Sequence, residues 1–186
     1  IATSAVREAS NQLAFLDRIY IATELQVAAM DEAEINRITY LGIRRELTQM
    51  STDATIVVCE VGGGSTELLA VRNNQIDFAH TYKLGSLRLR KTLDSYGAPI
   101  TQSRHLMEAE IKRTTGLLHE HVNSEHPLRL VALGGDIRFA ANQINGSWDS
   151  TTGATIDRET LETLTNDILA MPLDTIAQQY SLDITF

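Results

Sequence analysis

A glycine-rich turn at residues 60–67, with the sequence EVGGGSTE, constrains the fold of this chain more than any other segment. The β-branched run before it, residues 55–59, and the apolar run after it, residues 68–71, predict two short strands. An Asn-Asn dipeptide then predicts a tight turn, after which residues 75–79 can pair back as a third strand. The glycines therefore join two strands, whereas a Walker A loop and a dinucleotide fingerprint both lead into a helix.

The turn has the composition of an anion-binding site. Gly62, Gly63 and Gly64 allow positive φ angles and let the backbone approach a ligand closely. Successive amide N–H groups in such a turn form a nest for an anion, typically phosphate. The hydroxyls of Ser65 and Thr66 are additional donors. We therefore predict that these five residues bind phosphate.

Two carboxylates, Glu60 and Glu67, flank the turn. Bare carboxylates would repel a phosphate, so a divalent cation between them and the phosphate is the natural mediator. We predict that both glutamates hold a metal ion. The alternative is a glycine-rich connector with two solvated glutamates, which the strand–turn–strand context and the paired carboxylates disfavour.

Composition narrows the class of protein. The chain has 186 residues, 43% of them hydrophobic, so it can bury a core in one large domain or two small ones. Its net charge of −8 argues against nucleic acid as a partner without excluding a local phosphate pocket. The single cysteine, Cys59, cannot form an internal disulfide, which suits a cytoplasmic protein. No apolar run approaches the roughly 20 residues that span a membrane.

Four segments come in one order along the chain: IATSAVREASNQLAFL, TIVVCEVGGGSTELLAVRNNQ, YKLGSLRLRKTL and RLVALGGDIRFAANQI. Together they resemble the Ppx/GppA family of exopolyphosphatases and guanosine pentaphosphate phosphohydrolases, part of the actin-like ATPase superfamily. The resemblance implies an α/β fold, a ribonuclease-H-like mixed sheet with flanking helices that forms the second half of an actin-like two-domain protein. It also implies a Mg²⁺-dependent hydrolase of phosphoanhydride bonds that acts on polyphosphate or guanosine pentaphosphate.

The resemblance divides the chain in two. Residues 1–50 correspond to a remnant of the first ribonuclease-H-like half, and residues 51–186 to the second half with its GGGST phosphate loop. We expect the chain to be a piece of a longer protein, which in full length is a possible homodimer. Because the family's active site forms in the cleft between the halves, we expect this piece alone to be inactive or nearly so.

Two arginines lie in the matching segments. Arg7 is in the first turn of a helix that Thr3 or Ser4 can cap and that runs towards Ile19, where a family arginine lies close to the substrate phosphates. Arg88 follows Gly85 in the segment that resembles the family's LGAVRL motif and could reach phosphate. In both cases the alternative is an exposed helix arginine.

The family's catalytic glutamate activates the attacking water, and this sequence departs from the motif that carries it. A helix is predicted from Asp31 to about Leu47, with an acidic first turn that the helix dipole also favours. An ungapped alignment puts Ile35 at the catalytic position and Glu34 one residue early, a rotation of about 100° on a helix. We predict Glu34 as the general base, with Glu32 as the alternative.

A second glycine pair follows a predicted buried strand at residues 128–133. Gly134 and Gly135 lead into a helix over residues 137–144, an arrangement that suits an anion at the helix N-terminus, so both are predicted to bind phosphate. Asp136 stands where the family has Thr or Ser. It is a good N-cap, but its charge opposes a phosphate, so either a cation intervenes or this loop no longer contacts substrate.

Two other functions remain open from the sequence. The departures at Ile35, at Asp136 and at Glu60, where the family has Asp, favour a catalytically degenerate domain that senses polyphosphate or a guanosine polyphosphate. A sugar or acetate kinase of the same superfamily is the second alternative, and the TSAVREA and STEL motifs argue against it.

Overall fold

The computed structural model describes residues 1–50, 53–97, 100–122, 127–146, 149 and 152–181. Contacts divide the chain into two compact units, Ile1–Gly134 and Gly135–Phe186. The predicted division after residue 50 refers to the two halves of a whole actin-like protein and stays a prediction. The elements are β1 Thr55–Val61, β2 Thr66–Arg72, β3 Gln75–Tyr82 and β4 Leu128–Leu133, with helices α1 Ser4–Arg7, α2 Gln12–Thr23, α3 Glu32–Gln49, α4 Ser86–Ser95, α5 Ile100–His121, α6 Gly135–Asn145, α7 Arg158–Ala170 and α8 Leu173–Tyr180.

The four strands form one mixed sheet in the order β3-β2-β1-β4. β1, β2 and β3 pair antiparallel in sequence, and β4 pairs with β1 in parallel. Asn73 and Asn74 turn the chain between β2 and β3 with φ angles of 51° and 59°, as a tight hairpin turn requires. The predicted strands, the hairpin and the mixed sheet are therefore confirmed.

The core lies between one face of the sheet and α3. Ile56, Val58, Leu69 and Val71 point to this face and pack with Leu47 of α3. Helical spacing in the sequence predicts that Ile35, Ile38, Leu41 and Leu47 share one face of this helix, and this is wrong for Ile38 and Leu41, which are 43% and 49% exposed. The side of α3 that packs inward carries Asn36, Tyr40, Ile43 and Leu47. Apolar residues lie on more than one side of this helix, and packing against the sheet selects among them.

The N-terminal segment is not the single helix that was predicted as far as Ile19. α1 ends at Arg7 and α2 begins only at Gln12. Ser10 and Asn11 lie in the break, and both types of side chain compete with helical hydrogen bonding. Before α1, the Ala2 N–H donates to the Ala28 carbonyl at 2.9 Å, and Ala2 pairs with Ala29 in an isolated parallel β-bridge.

β4 has the predicted bounds but is less buried than expected. Leu128 and Leu130 are both more than half exposed, because β4 forms one edge of the described sheet and pairs only with β1 there. Its parallel register places Leu133 beside Glu60. The carboxyl ends of β1 and β4 therefore meet at the glycine-rich end of the sheet.

The second unit is helical in its described part. Phe139 of α6 and Tyr180 of α8 pack edge to face, with ring centroids 5.1 Å apart. The Asp157 carboxylate caps α7 by accepting from the Glu159 amide at 3.0 Å, and Asp is a favoured residue at this position. Of the helices in the described ranges, none combines the length and apolarity needed to cross a bilayer.

Candidate active site

The glycine turn is held from one side by the start of α4. The Gly62 N–H donates to the Ser65 carbonyl at 2.9 Å and closes the turn. The Ser86 amide donates to the Gly62 carbonyl at 3.2 Å, and the Arg88 amide donates to the Gly63 carbonyl at 3.0 Å. The first amides of α4 therefore bind carbonyl oxygens of the turn.

The glycines of the turn are needed for close approach rather than for positive φ. A Cβ added to Gly63 would lie 2.9 Å from the Leu87 side chain, and one added to Gly64 would lie 2.7 Å from the Ser4 hydroxyl. The turn glycines are absent from the residues with positive φ, so the expectation of left-handed backbone here was wrong. Gly134 does need it, with a φ of 109°.

The turn presents free amide donors. Within the described part of the chain, the N–H groups of Gly63, Gly64 and Ser65 donate to no protein acceptor. The three residues are consecutive; Gly63 and Gly64 are partly exposed, and Ser65 is buried. Consecutive free N–H groups in a turn are the donor set of an anion nest.

The two hydroxyls of the turn are already engaged. Ser65 Oγ donates to Glu67 Oε1 at 2.6 Å, and Thr66 Oγ1 donates to the Leu84 carbonyl at 2.6 Å. A phosphate at this turn would therefore meet backbone amides first. The predicted phosphate contacts of both hydroxyls stay a prediction.

Glu60 and Glu67 lie directly opposite each other on β1 and β2, beside the turn. Facing residues of an antiparallel pair have Cβ atoms about 4.5–5.5 Å apart, and like charges at such positions repel. Glu67 is only 6% exposed. Burial raises the pKa of the neighbouring Cys59 thiol, and the charges of Glu67 and Glu60 raise it further, so this end of the sheet has a negative potential.

Whether Glu60 and Glu67 hold Mg²⁺ stays a prediction, and their oxygen donors are of the type that this ion binds. Among the described residues, no group of three or more His, Cys, Asp or Glu side chains could enclose a metal ion. Mg²⁺ characteristically binds one or two carboxylates and completes its shell with waters and substrate phosphates. Two facing carboxylates beside free amide donors are such a donor set.

The row of side chains continues onto β3 and α3. Thr81 lies opposite Glu67 on β3, and Asn36 Nδ2 donates to Thr81 Oγ1 at 3.3 Å. Asn36 is 6% exposed, and its Oδ1 has no hydrogen-bond partner in the described structure. Sequence reasoning missed Asn36, although a polar residue on the same helix stripe as Tyr40, Ile43 and Leu47 was a signal.

Arg7 ends α1 with its guanidinium largely buried. Nη1 donates to the Met30 carbonyl at 3.1 Å, and Nη2 lies 3.8 Å from Glu32 Oε1. Nη2 is buried and makes no hydrogen bond within the described residues. A cation with a free N–H donor is well suited to an anionic ligand.

Glu34 is part of a helix cap. Its Oε2 accepts from the Asp31 amide at 3.1 Å, while its own amide donates to Asp31 Oδ1 at 2.8 Å, which is a complete capping box. The exposed carboxylate of Glu34 is therefore held at the start of α3. The role of Glu34 or Glu32 as general base stays a prediction.

Arg88 makes contacts with protein on two of its nitrogens. Nε donates to the Gly64 carbonyl at 2.6 Å, and Nη2 donates to both carboxylate oxygens of Glu8 at 2.8 Å. The hydrogen bond from Arg88 lowers the pKa of Glu8. Direct contact of Arg88 with phosphate stays a prediction.

The second glycine pair meets the same end of the sheet through Gly134. A Cβ on Gly134 would lie 3.2 Å from the Val61 carbonyl and 4.0 Å from Glu60 Cγ. α6 begins at Gly135, so Asp136 lies in its first turn and not at the predicted N-cap position. Whether Gly134 and Gly135 bind phosphate stays a prediction.

The four-stranded mixed sheet flanked by helices matches solved structures of the actin-like ATPase fold. The structure superposes on an exopolyphosphatase from Cytophaga hutchinsonii with a TM-score of 0.73 and 20% identity, covering 90% of this chain and 55% of that one. For an exopolyphosphatase-like protein the TM-score is 0.76 with 21% identity and coverage of 91% and 56%. For a Ppx/GppA family member from Aquifex aeolicus it is 0.67 with 21% identity and coverage of 97% and 57%.

The family model for the Ppx/GppA phosphatase family matches residues 1–182, and the chain belongs to this family. A search of curated proteins found no significant match. The chain spans little more than half the length of the solved structures that it resembles.

Proposed function

We propose that the protein containing this chain is a Mg²⁺-dependent hydrolase that releases terminal phosphate from polyphosphate or guanosine pentaphosphate. One observation carries the proposal: Glu60 and Glu67 face each other beside three free amide donors. Phosphoryl transfer needs positioning and charge neutralisation more than covalent chemistry by the protein. The free amides would supply the positioning, and Mg²⁺ held by the two carboxylates would supply the charge neutralisation.

Each group has a distinct task in this proposal. The amides of Gly63, Gly64 and Ser65 bind phosphate oxygens, and Nη2 of Arg7 neutralises phosphate charge. Glu60 and Glu67 hold Mg²⁺, which when bound offsets the negative charge of the transferred group. Ser65 Oγ, by donating to Glu67 Oε1, fixes the orientation of that carboxylate.

Glu34 is the proposed group that orients or deprotonates the attacking water, with Glu32 as the alternative. A general base must come within hydrogen-bond distance of the water, directly or through a second water. The Asp31 amide uses only Oε2 of Glu34, so the other carboxylate oxygen can accept from a water while the cap is kept.

The substrate choice and the complete site belong to the whole protein. Family members bind substrate between two halves, so we propose that the 186-residue chain alone has little or no turnover. The possible homodimer is likewise proposed only for the full-length protein.

A catalytically degenerate sensor is the second candidate. Two points favour it: an ungapped match to the family motif puts Ile35 at the catalytic position, and Glu34 is held in a capping box. Such a protein would bind polyphosphate or a guanosine polyphosphate through the same turn without hydrolysing it.

The deciding experiment measures Mg²⁺-dependent phosphate release by the full-length protein offered polyphosphate and guanosine pentaphosphate. We expect release by the unmodified protein and its loss in Glu67→Gln. Glu110→Gln, which disrupts the exposed Glu110 and Arg113 pair on α5, is the matched control and should retain activity. Binding without release by the unmodified protein would exclude the hydrolase and support the sensor.

A second pair of variants tests the general base. Gln in place of Glu34 can still accept from the Asp31 amide, so Glu34→Gln should reduce turnover strongly with little change in thermal stability. Ile35→Glu places a carboxylate at the family's position. If Glu34→Gln turns over normally, Glu34 is not the base.

A further inference from the structure

We propose that Glu8 and Arg88 form a positioning clasp that fixes the direction of the free turn amides and joins them to Arg7 as one phosphate-binding unit. The inference rests on the proposed function for its ligand, but its geometry is independent of any ligand. It makes Glu8, which the sequence did not single out, a positioning residue. In this proposal Arg88 holds the turn in place and does not bind the phosphate.

The planar peptide bond connects the bound carbonyls to the free amides. In a trans peptide, the C=O of one residue and the N–H of the next point in opposite directions. The carbonyls of Gly62, Gly63 and Gly64 are bound by Ser86 N–H, Arg88 N–H and Arg88 Nε respectively. The N–H groups of the same three peptide planes are those of Gly63, Gly64 and Ser65, the three without an acceptor.

It follows that the anchoring of the carbonyls on the α4 side directs the three N–H groups away from α4. Two anchors are backbone amides of α4, which any sequence could supply. The third, at Gly64, comes from the Arg88 side chain and so depends on how that side chain is held. The direction of the Ser65 N–H is therefore the one most sensitive to Arg88.

Glu8 holds Arg88 in place. Both Glu8 oxygens accept from Arg88 Nη2 at 2.8 Å while Nε remains on Gly64 at 2.6 Å. A planar guanidinium that is bound along two directions has little freedom to rotate. The side chains are about one-third exposed, at 31% and 33%, so the pair is accessible to water but not fully solvated.

The clasp also connects Arg7 to the glycine turn. Glu8 follows Arg7 directly, and its amide donates to the Ser4 carbonyl at 3.0 Å, which ends α1. Ser4 in turn lies against Gly64, where even a methyl group would be too close. Glu8, Arg88 and Ser4 therefore fix the position of Arg7 relative to the turn amides.

The test uses the full-length protein and three variants: Glu8→Gln, Glu8→Asp and Arg88→Lys. Lysine keeps the charge of Arg88 but cannot bind Gly64 and Glu8 together as a planar fork. Glu110→Gln is the control for loss of an ion pair elsewhere in the same compact unit. The readouts are the affinity for inorganic phosphate with Mg²⁺ by calorimetry, KM and kcat for polyphosphate, and deuterium uptake of a peptide covering residues 61–66.

We expect Glu8→Gln and Arg88→Lys to weaken phosphate affinity and raise KM by about tenfold, the effect of one charge-assisted hydrogen bond. In these two variants kcat should change much less, and deuterium uptake of residues 61–66 should increase. Glu8→Asp keeps the carboxylate and should show a smaller change than Glu8→Gln in each readout. The proposal is overturned if Glu8→Gln behaves like Glu110→Gln in all readouts. If the unmodified protein binds no phosphate, the proposed function fails, and deuterium uptake alone then decides the clasp.

Discussion

Replacing Gly85 with alanine tests whether α4 packs directly on the glycine turn. A Cβ at this position would lie 2.5 Å from the Gly63 carbonyl oxygen and 2.6 Å from the carbonyl carbons of Gly63 and Gly64. Ordinary contacts between such atoms are about 3.5–4.0 Å. All three atoms belong to the backbone of the glycine turn, so α4 or the turn must move by nearly the difference.

The cost can be bounded from this overlap. Overpacking a well-packed site costs about 1–3 kcal/mol, and the reduced freedom of alanine in the unfolded chain returns about 0.4–1 kcal/mol. The midpoints of these ranges, about 2 and about 0.7 kcal/mol, leave a net loss of about 1.3 kcal/mol, which should lower the melting temperature of a chain of this length by roughly 3–5 °C. Gly116→Ala is the matched control, because nothing lies within 4 Å of its added Cβ and it lies inside α5.

Thermal unfolding followed by circular dichroism measures both variants. Gly116→Ala should stabilise the chain by about 0.5–1 kcal/mol, the ordinary gain of removing a helix glycine. Gly85→Ala should destabilise it and also increase deuterium uptake at residues 61–66. If Gly85→Ala melts at or above the unmodified protein while Gly116→Ala behaves as expected, α4 does not pack on the turn as described.

Three further predictions follow from single contacts. Asp31→Ala removes the capping box of α3 and should lower stability by about 1 kcal/mol in denaturant titrations, whereas Asp31→Asn should be nearly neutral; equal effects would argue against the cap. The hydrogen bond from Arg88 lowers the pKa of Glu8 in the folded chain, so the ionised carboxylate stabilises the fold. The difference in unfolding free energy between the unmodified chain and Glu8→Gln should be full above the ordinary carboxyl pKa of about 4.3 and should disappear as pH falls through the lowered pKa. A difference that does not change with pH would refute this. Because burial and the two carboxylates raise the pKa of Cys59, its alkylation by iodoacetamide near pH 8 should be slower in the folded chain than in urea, and equal rates would contradict the description.

The strands and the hairpin could be predicted from the sequence because the relevant information is local. Residues 55–59 and 68–71 are short β-branched or aliphatic runs, and the asparagine pair after Arg72 adopts the positive φ that its side chains tolerate. The cap at Asp157 is equally local. The break after Arg7 was missed because helix periodicity across residues 5–19 outweighed the weaker signal of Ser10 and Asn11.

The inward face of α3 could not be decided in the same way. Ile38 and Leu41 are as apolar as Ile43 and Leu47, so periodicity allowed more than one stripe. Only contact with Ile56, Val58, Leu69 and Val71 of the sheet selects the side that includes Asn36. The exposure of Leu128 and Leu130 on β4 is likewise a consequence of strand order, which no local pattern specifies.

The sequence by itself determined the strand–turn–strand segment, the two carboxylates at its ends and the family to which the chain belongs, because these depend on residue types at fixed short spacing. The tertiary structure decided which groups of the turn are free. Carbonyls from Gly62 to Gly64 are bound by α4, more than twenty residues away, and Glu8 reaches Arg88 across 80 positions of the chain. The direction of a peptide plane depends on such distant partners, and a residue's type alone does not encode it.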